Sequence, residues 1–383
     1  MAIARHRFSP EIERQLKPLR KLDNWHGPVA LLTDWIVIVS VIVACELLLH
    51  GWVWWLGYLC VALPVIATRQ RALATLLHEA AHGVLTRNRK LGLFLATFPS
   101  GYLIGQSHRA YQRSHLADHH GAFGDPAVDP DLRAHIDHGL YETMSGRRFT
   151  FKYLLAPMLG VRTPRLVAEL VVQRLSGTPK ELRAGVAVVS YMTAIGAICF
   201  LFGVGHLFVL YWLVPLFLVF PLVNWYIELL EHFPMMGYEH VDLWASRPRA
   251  TGPLTRHFLG IHGEGYHLDH HLSPKIPYWN QRHAHRIRLA DPSYRALVEE
   301  LCPPGKGLLW QFRDMARRVD SGNVNARLLQ IQAEASQPST SATRSQRGPT
   351  PAKPRQGGTT IEQPIRAERA GRSINPPIPA GPA

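Results

Sequence analysis

Two long apolar stretches that contain no Lys or Arg constrain this chain more than any other feature. The first covers residues 24–68 and the second residues 184–227. A helix needs about 20 apolar residues to cross the hydrocarbon core of a membrane, so each stretch is too long for one span. Each therefore predicts a helical hairpin, with turns near His50 and near Gly203. The sequence thus predicts an all-α membrane protein with four transmembrane helices, at about residues 29–50, 52–68, 184–204 and 206–228.

The cationic residues all lie outside these spans and the short turns between them. Of 42 Lys and Arg residues, six lie in residues 1–28, sixteen in 69–183 and twenty in 232–383. Because cytoplasmic loops carry the excess of Lys and Arg, both termini and the middle segment are expected in the cytoplasm. The formal charge of +14 then marks a membrane face and not a nucleic-acid partner, for which no binding motif is found. We expect an integral protein in the lipid bilayer of a bacterial inner membrane.

Composition divides the chain into three parts. The sequence predicts a cytoplasmic N-terminal segment, 1–28, and a membrane domain, 29–319, in which residues 69–183 and 232–319 form a cytoplasmic helical cap. The last part, 320–383, is rich in Ser, Pro, Gln, Thr and Arg with few aromatic residues, a composition typical of disorder. The N-terminus lacks the apolar core of a cleaved signal peptide, and four Cys are too few for a disulfide scaffold.

Histidine is in excess, and many of the 21 His residues are clustered. One cluster follows the second span, one lies in the middle segment, one follows the fourth span, and a single His stands at the end of that span. All of them fall on the side predicted to be cytoplasmic. The nine candidate metal ligands are His78, His82, His115, His119, His120, His232, His267, His270 and His271.

The spacing within the clusters indicates helical ligand sets. Side chains at i and i+4 share a helix face, so we expect His115 to pair with His119, as the two His of the first cluster do, and the third cluster to share one face. His120 is rotated by about 100° from His119, so this adjacent pair is expected to serve two metals. Neutral imidazole suits iron, zinc and copper. Nine imidazoles exceed what one ion can use and suit a pair of ions with positions left open for oxygen.

Other assignments remain open at this point. His108 and His262 each precede a cluster by a few residues and are candidates for supporting contacts. The remaining His residues, such as His135 and His283, lack partner spacing and are interpreted as solvated or structural. His78 and Glu79 also begin an H-E-x-x-H motif, which is the signature of a zinc protease, but this reading leaves seven clustered His unexplained. A membrane anchor or a metal-storage protein is a further alternative.

The motifs resemble those of the membrane fatty acid desaturase and hydroxylase superfamily over roughly residues 30–310. HEAAH at 78–82 fits the first histidine box of that family. HLADHHGAFGDPAVDPD at 115–131 resembles the second box and the segment that follows it. GYHLDHHLSPKIPYWN at 265–280 resembles the third box, and NWYIELLEH at 224–232 resembles the additional His element after the last span.

This resemblance implies four spans, a cytoplasmic cap, two iron ions (Fe²⁺) and O₂ as co-substrate. The implied reaction introduces a C=C bond into the aliphatic chain of a fatty acyl lipid, an acyl-CoA or an acyl-carrier substrate. A hydroxylase, a ketolase or a desaturase of a specialised metabolite on the same scaffold is the alternative. In related enzymes an Asn four residues before the last-span His helps to hold a metal-bound water. Here Glu228 has that position and Asn224 lies one turn earlier, so both are candidates for water-mediated contacts.

The reaction needs two external electrons, and the chain carries no obvious carrier of its own. It has no G-x-G-x-x-G fingerprint for a flavin or nicotinamide and no Cys pattern for haem or an iron–sulfur cluster. We therefore expect a separate electron donor of the ferredoxin or cytochrome b5 type. The basic face is able to dock an acidic carrier, although a solvated face beside anionic lipid explains the same charges.

Overall fold

Helices make up the regular structure of this computed structural model, and its described residues contain no β-strand. The described residues are 5–175, 178–236, 242–244, 246–249 and 252–321, all within one compact unit, Met1–Ser336. The prediction of an all-α protein is confirmed. The tail predicted to be disordered lies outside the described residues except for its first two positions.

The helices are labelled in chain order. They are α1 (Pro10–Leu16), α2 (His26–Leu48), α3 (Gly51–Ala81), α4 (Arg89–Thr97), α5 (His108–Gln112), α6 (Pro130–Asp137), α7 (Thr163–Leu175), α8 (Pro179–Leu201), α9 (Gly205–His232), α10 (His267–Leu272), α11 (Tyr278–Arg288), α12 (Pro292–Leu301) and α13 (Leu308–Asp320). Shorter helical segments are Lys17–Arg20, Gly101–Ile104, Arg113–His120, Gly146–Phe149, Thr150–Leu155, Ala156–Met158, Asp242–Trp244, Pro253–Phe258 and Ile261–Tyr266.

Four of these helices are long and apolar enough to cross a membrane: α2, α3, α8 and α9. This confirms the predicted number of spans. Only 17% to 39% of the residues in their most apolar windows are buried inside the protein, so most of this apolar surface faces outward. Large side chains at the helix ends, such as Trp52 and Phe202, are 75% and 80% exposed. A surface of this kind requires an apolar solvent, and the chain is a membrane protein.

Helices α3 and α9 are longer than a bilayer requires. With 31 and 28 residues, they reach roughly 46 and 42 Å at 1.5 Å per residue, against a hydrocarbon core of about 30 Å. Their last turns therefore extend beyond the apolar layer. Both helices carry His residues in those last turns, and the excess length is what brings these residues to a polar part of the molecule.

Packing beneath that region joins α3 to α9. Leu73, Leu76 and Leu77 of α3 are buried in the same apolar cluster as Val223 and Ile227 of α9. Residues three and four apart share a helix face, so the three leucines form one stripe. Burial of each such side chain contributes roughly 1.5–3 kcal/mol. The stripe therefore fixes the two helices against each other close to their His-bearing ends.

A buried ion pair ties α2 to α3. Arg69 Nη1 lies 3.2 Å from Asp34 Oδ1, and both side chains are buried. Nε2 of His262 lies 2.7 Å from the other carboxylate oxygen of Asp34. A charged side chain in a membrane helix is costly unless it is paired. The Asp34 carboxylate thus contacts both Arg69 and His262 and attaches the segment Ile261–Tyr266 to the first hairpin.

The helices that follow the last span have a core of their own. Tyr294 of α12 and Leu268 of α10 are buried in one apolar cluster. Helix α1 packs against α11 through Ile12 and Leu16, which share a second cluster with Ala284. The cytoplasmic location predicted for these helices stays a prediction.

Candidate metal centre

All nine predicted ligands meet where α3 and α9 end. His78 lies in the last turn of α3, His82 follows its end directly, and His232 is the last residue of α9. The second His cluster lies on the π-helical segment Arg113–His120, which continues α5, and the third lies on α10. The two long helices and the two short ones thus converge on one site.

The nine histidines form two groups. In the first, here named the five-His group, the ligand nitrogens lie within 4.8 Å of one another. Its members are His78, His82, His115, His120 and His270. In the second, named the four-His group, Nε2 of His267 lies 3.0 Å from Nε2 of both His232 and His271. His119 completes this group, with its Nε2 3.4 Å from that of His271. Each group offers enough nitrogen atoms to hold one metal ion.

The predicted pairing of His115 with His119 is wrong. His115 pairs with His120, with their Nε2 atoms 3.1 Å apart. The segment Arg113–His120 is π-helical, and the i→i+5 hydrogen bonds of a π-helix widen its turn. Residues i+4 and i+5 therefore both lie near the face of residue i. The rings of His115 and His119 stack with their centroids 5.4 Å apart, but the ring nitrogen that His115 meets is that of His120. The other part of the prediction agrees with the structure, because the adjacent residues His119 and His120 belong to different groups.

The third cluster faces the site from one side of α10, as predicted, but its three histidines divide between the two groups. His267 and His271, four residues apart on α10, belong to the four-His group. His270 is rotated by about 100° from His271 and belongs to the five-His group, with its Nε2 3.1 Å from that of His82. Helix α10 therefore lies between the groups and contributes to both, as the segment Arg113–His120 does.

The distances between ring nitrogens fit two bound metal ions. Two nitrogen ligands, each about 2.1 Å from one ion and about 90–110° apart around it, lie roughly 3.0–3.4 Å from each other. The Nε2 pairs within both groups are separated by 3.0 to 3.4 Å. Nε2 of His78 is buried without a hydrogen-bond partner among the described residues. The donor set therefore suits a pair of ions.

Burial keeps most of these imidazoles in the neutral form that binds metals. Burial first, and then the charge on neighbouring imidazoles, lowers the pKa of His82 to about 4 and the pKa of His120 to about 2. The same causes hold the pKa values of His115, His270 and His271 well below the ordinary value. Near neutral pH these rings have lone pairs available for a metal.

His119 differs, because two carboxylates lie beside its other ring nitrogen. Its Nδ1 lies 3.0 Å from Asp129 Oδ1 and 3.0 Å from Asp131 Oδ2. Burial by itself lowers the pKa of His119, but the two carboxylates outweigh burial and raise this pKa to about 9. Asp129 is fully buried and also caps α6 by accepting the N–H of Asp131. The carboxylates hold Nδ1, and so Nε2 of His119 faces the four-His group.

Further contacts anchor α10. Glu231 Oε1 lies 3.4 Å from Nδ1 of His267 and 3.1 Å from Nη2 of Arg249. Asp269, which lies between the ligands in the sequence, turns to the neighbouring helices. It accepts hydrogen bonds from Arg288 Nη1 at 2.6 Å and from the Tyr294 hydroxyl at 2.9 Å. These contacts fix the orientation of α10 and with it three of the nine ligands.

A cavity of about 110 Å³ adjoins both His groups. Its wall contains His residues of each group and several charged side chains. The charged residues other than His are Arg71, Glu79, Asp131, Glu228, Glu231 and Glu264. Arg71 of α3 donates through Nε to Glu264 Oε1 at 2.8 Å and through Nη1 to Asn224 Oδ1 at 3.1 Å. The wall of this space therefore combines charged groups with apolar ones such as Ala74 and Pro130.

The four supporting candidates have different surroundings. Asn224 accepts the hydrogen bond of the cavity arginine. Glu228 lines the cavity but belongs to neither His group. His262 contacts Asp34 of α2 from a left-handed backbone conformation, with φ of 54°. His108 is the partly buried first residue of α5. Within the described residues, neither His108 nor His262 shares a group that could hold a metal ion.

Glu79 is held in a structural position. Its Oε2 accepts the backbone N–H of Tyr278 at the start of α11, at 2.8 Å. Its Oε1 lies 3.4 Å from Nδ1 of His78. In a zinc protease Glu79 would be the general base. Here one of its carboxylate oxygens contacts the ring of His78, and the other accepts a hydrogen bond from the start of α11.

Sequence reasoning missed the charged partners of the ligands. Asp129 precedes Pro130 in a typical helix N-cap, which predicts where the side chain sits but not which His it contacts. Arg71 was a usable signal, since an Arg within an apolar helix must face the protein interior and find a partner there. The sequence does not show that this partner is Glu264, which lies almost two hundred residues away.

Comparisons with known proteins agree with the geometry. The sequence profile of the family described as fatty acid desaturase matches residues 51–300, a region that contains all nine His ligands. The chain is also 35% identical over 294 residues to dihydrorhizobitoxine desaturase from Bradyrhizobium elkanii. That alignment covers 75% of this chain and 82% of the relative. These findings support an oxidoreductase of the desaturase type. By sequence profile and by its relative, the chain belongs to the fatty acid desaturase family.

Proposed function

We propose that the protein is a membrane desaturase that uses two iron ions and O₂ to introduce a C=C bond into an aliphatic chain. The convergence of nine imidazoles in two adjacent groups carries this proposal. Imidazole suits iron, and the ligand number leaves positions free on each ion. Iron, when bound there, supplies the oxidising power that an unactivated C–H bond requires and that side chains lack.

The substrate loses two hydrogen atoms from adjacent carbons as the C=C bond forms. Two electrons from a donor and two protons complete the reduction of O₂ to two molecules of water. The residues of the chain have three tasks in this reaction. They hold the ligand rings, they orient the substrate in the cavity beside both groups, and they keep bulk water away from the reacting carbons.

A surface pocket supports the expectation of a separate electron donor. It has a volume of about 720 Å³, and partly exposed rings from both His groups lie on its wall. These rings are His82, His120 and His271. The exposed cations Arg5, Arg20 and Lys275 also line it. An acidic one-electron carrier of the ferredoxin or cytochrome b5 type suits such a rim, and electrons entering here have a short path to the ligands.

We further propose that the protein lies in a bacterial inner membrane with both termini and the metal centre on the cytoplasmic side. The distribution of Lys and Arg supports this orientation. Single Cys residues introduced near His50 and near His206, in a chain whose four native Cys are replaced, test it. A membrane-impermeant thiol reagent should label both sites from outside the membrane. Labelling of either site only from the cytoplasm would contradict the orientation.

The substrate has two candidate classes. The family favours a fatty acyl chain, carried by a lipid, CoA or a carrier protein. The relative is named for dihydrorhizobitoxine, and the charged side chains on the wall of the cavity also favour a desaturase of a specialised metabolite. Expression in a host of known lipid profile, followed by mass spectrometry of both lipid and polar extracts, distinguishes the two classes.

The same experiment under ¹⁸O₂ distinguishes desaturation from hydroxylation. A desaturase gives a product that has lost two hydrogen atoms and contains no ¹⁸O, whereas a hydroxylase or ketolase gives a product that carries the label. We expect the unlabelled alkene in cells that make the wild-type chain. Cells that make His270→Ala, which lacks one ligand, should give none. A labelled alcohol would contradict the proposed reaction.

A further inference from the structure

A short apolar arm, residues 146–162, packs against the span α9. It consists of the helical segments Gly146–Phe149, Thr150–Leu155 and Ala156–Met158 and the turn that follows them. Its inner side chains are buried in one apolar cluster with Trp225 and Leu229 of α9. Its outer side chains are 50% to 76% exposed, and they are Phe151, Leu155, Met158, Leu159 and Val161. The arm is thus apolar on both sides, and the described residues cover only the inner one.

The outer side chains form one continuous face. Phe151, Leu155 and Met158 are four and three residues apart along the helical segments, which is the spacing of one helix face. The next residues continue this face into a turn around Gly160, which has a φ of 74°. Turns that face water are usually built from polar residues. A helix face and a turn that are both apolar and exposed indicate contact with an apolar medium.

The arm is attached to α9 at the level where this helix leaves the hydrocarbon. Counted from Gly205 at the opposite end, about 20 residues at 1.5 Å each cross the core, which ends near Trp225. Nε1 of Trp225 donates to the backbone carbonyl of Tyr153 at 2.9 Å, and the Tyr226 hydroxyl donates to that of Leu154 at 2.7 Å. Trp and Tyr are enriched at this boundary of membrane proteins. The arm therefore lies at the membrane surface, at the end of the spans that holds the metal ligands.

Cations flank the apolar face. The arm contains four Lys and Arg residues and no Asp or Glu. Arg147 and Arg148 are exposed, and their guanidinium groups form no ion pair among the described residues. The Arg162 guanidinium lies over the ring of Trp225, 4.7 Å from its centroid, at the same boundary. A basic rim around an exposed apolar face is the pattern of segments that lie in the surface of an anionic bilayer.

We propose that the arm is a membrane anchor, whose outer face inserts into the leaflet at the metal-centre end of the spans and whose cations bind anionic lipid head groups. With 17 residues the arm is shorter than the roughly 20 that a span requires, so it enters one leaflet and does not cross the bilayer. It packs directly on α9, a helix that itself faces lipid, and the bilayer is therefore the apolar medium next to the exposed face. The chain between α6 and α8 is thereby attached to the bilayer as well as to the spans.

The test measures the surroundings of the outer face in the full-length, iron-loaded protein. Phe151→Cys, Leu155→Cys and Met158→Cys are made singly in a chain whose four native Cys are replaced, and each is labelled with the fluorophore NBD. The protein is placed in nanodiscs of phosphatidylcholine and phosphatidylglycerol. Brominated lipid quenches a fluorophore in the hydrocarbon, and iodide quenches one in water. We expect strong quenching by brominated lipid and little by iodide at all three positions.

Two labelled controls mark the limits of this scale. Val39→Cys, at an exposed position within α2, should be quenched by brominated lipid alone. Arg286→Cys, at an exposed position of α11, should be quenched by iodide alone. Quenching of the arm by iodide, to the extent seen in Arg286→Cys, would show that the face lies in water and would overturn the proposal. Absence of quenching by either agent would show that protein, such as a second copy of this chain, covers the face, and would also overturn it.

The role of the cations is tested by the choice of lipid. In nanodiscs in which either the phosphatidylglycerol or an equal amount of the phosphatidylcholine is brominated, labelled Met158→Cys should be quenched about twofold or more strongly by the brominated anionic lipid. Adding Arg147→Gln and Arg148→Gln should remove this excess and leave the iron content unchanged. Arg286→Gln, which removes an exposed cation of α11, is the matched control and should keep the excess. Equal quenching by the two lipids before these substitutions would overturn the assignment of anionic lipid to the arm.

Discussion

The two His groups are built from the same ligand but differ in what lies behind the rings. Asp129 and Asp131 lie behind His119 in the four-His group, and Glu231 lies behind His267. In the five-His group, Glu79 at 3.4 Å from His78 is the one carboxylate within ion-pair distance of a ring among the described residues. Metal binding by the five-His group therefore depends on the number of its neutral nitrogens. Metal binding by the four-His group depends on the carboxylates that orient its rings. The two metal positions should respond differently to the same perturbation.

Removal of one His ligand should have the largest effect on iron content and activity. His232→Ala leaves three nitrogens in the four-His group, so its ion should be lost and the iron content should fall from two to about one per chain. His270→Ala leaves four nitrogens in the five-His group, so its ion should be retained more weakly. Both variants should lack detectable turnover, because the reaction needs both ions. Iron analysis and product assays measure these outcomes.

The control for these variants is His283→Ala. His283 is exposed on α11 and should be replaceable without loss of iron or activity. His135, which has equally little sequence support as a ligand, is a poorer control because it is buried beside Phe233. Normal turnover in His232→Ala or in His270→Ala would show that the assignment of ligands is wrong.

Asp129→Asn should weaken the four-His group alone. The amide keeps the shape of the carboxylate but loses the charge that holds Nδ1 of His119. Removal of such a supporting contact lowers metal affinity by about 10- to 100-fold. During titration with a chelator, the protein should therefore lose its iron in two separate steps. The step that belongs to the four-His group should move to a lower chelator concentration, and the step that belongs to the five-His group should stay unchanged. A similar loss from both sites would mean that the groups are not independent.

The pH dependence of Fe²⁺ affinity should also differ between the two groups. Without metal, His119 has a pKa of about 9, so between pH 7 and 9 an ion must displace a proton from it. Affinity of the four-His group for Fe²⁺ should then rise with pH, by up to about tenfold per unit, and level off above pH 9. His82 and His120 have pKa values of about 4 and about 2 and are already neutral, so the five-His group should show no such slope. Anaerobic competition with a chelator at pH 7, 8 and 9 measures the Fe²⁺ affinity of each group. The same dependence on pH in both groups would contradict the comparison.

Glu79→Gln should have the smallest effect. The amide oxygen can still accept the N–H of Tyr278, and the contact with His78 is long. Measurable product and both irons should remain. In a zinc protease the same substitution would remove the general base and abolish activity while the metal stayed bound. A wild type with one zinc and no iron, together with an inactive Glu79→Gln, would rule out the desaturase function.

The sequence predicts those features of the fold and the site that require particular residue types at particular positions. A span must be apolar over its whole length, and so the four helices were visible as stretches free of Lys and Arg. Clustered His at helical spacing is also visible in a sequence, and the structure brings all nine candidates into the two groups. The division of His115 and His119 between two groups was not visible, because residue types do not show that the turn there is π-helical. The contact between Arg71 and Glu264 depends on how distant segments pack, which local patterns do not encode.

The order of the ligands along the chain determines when the centre can form. The five-His group needs residues from position 78 to position 270, and the four-His group needs residues from position 119 to position 271. During synthesis both hairpins have left the ribosome before α10 is made, so the membrane helices can insert while neither group is complete. Iron loading is then a late step of maturation. Shortage of iron would leave inserted but inactive protein, and a chain truncated before α10 would insert without three of its nine ligands and could not complete either group.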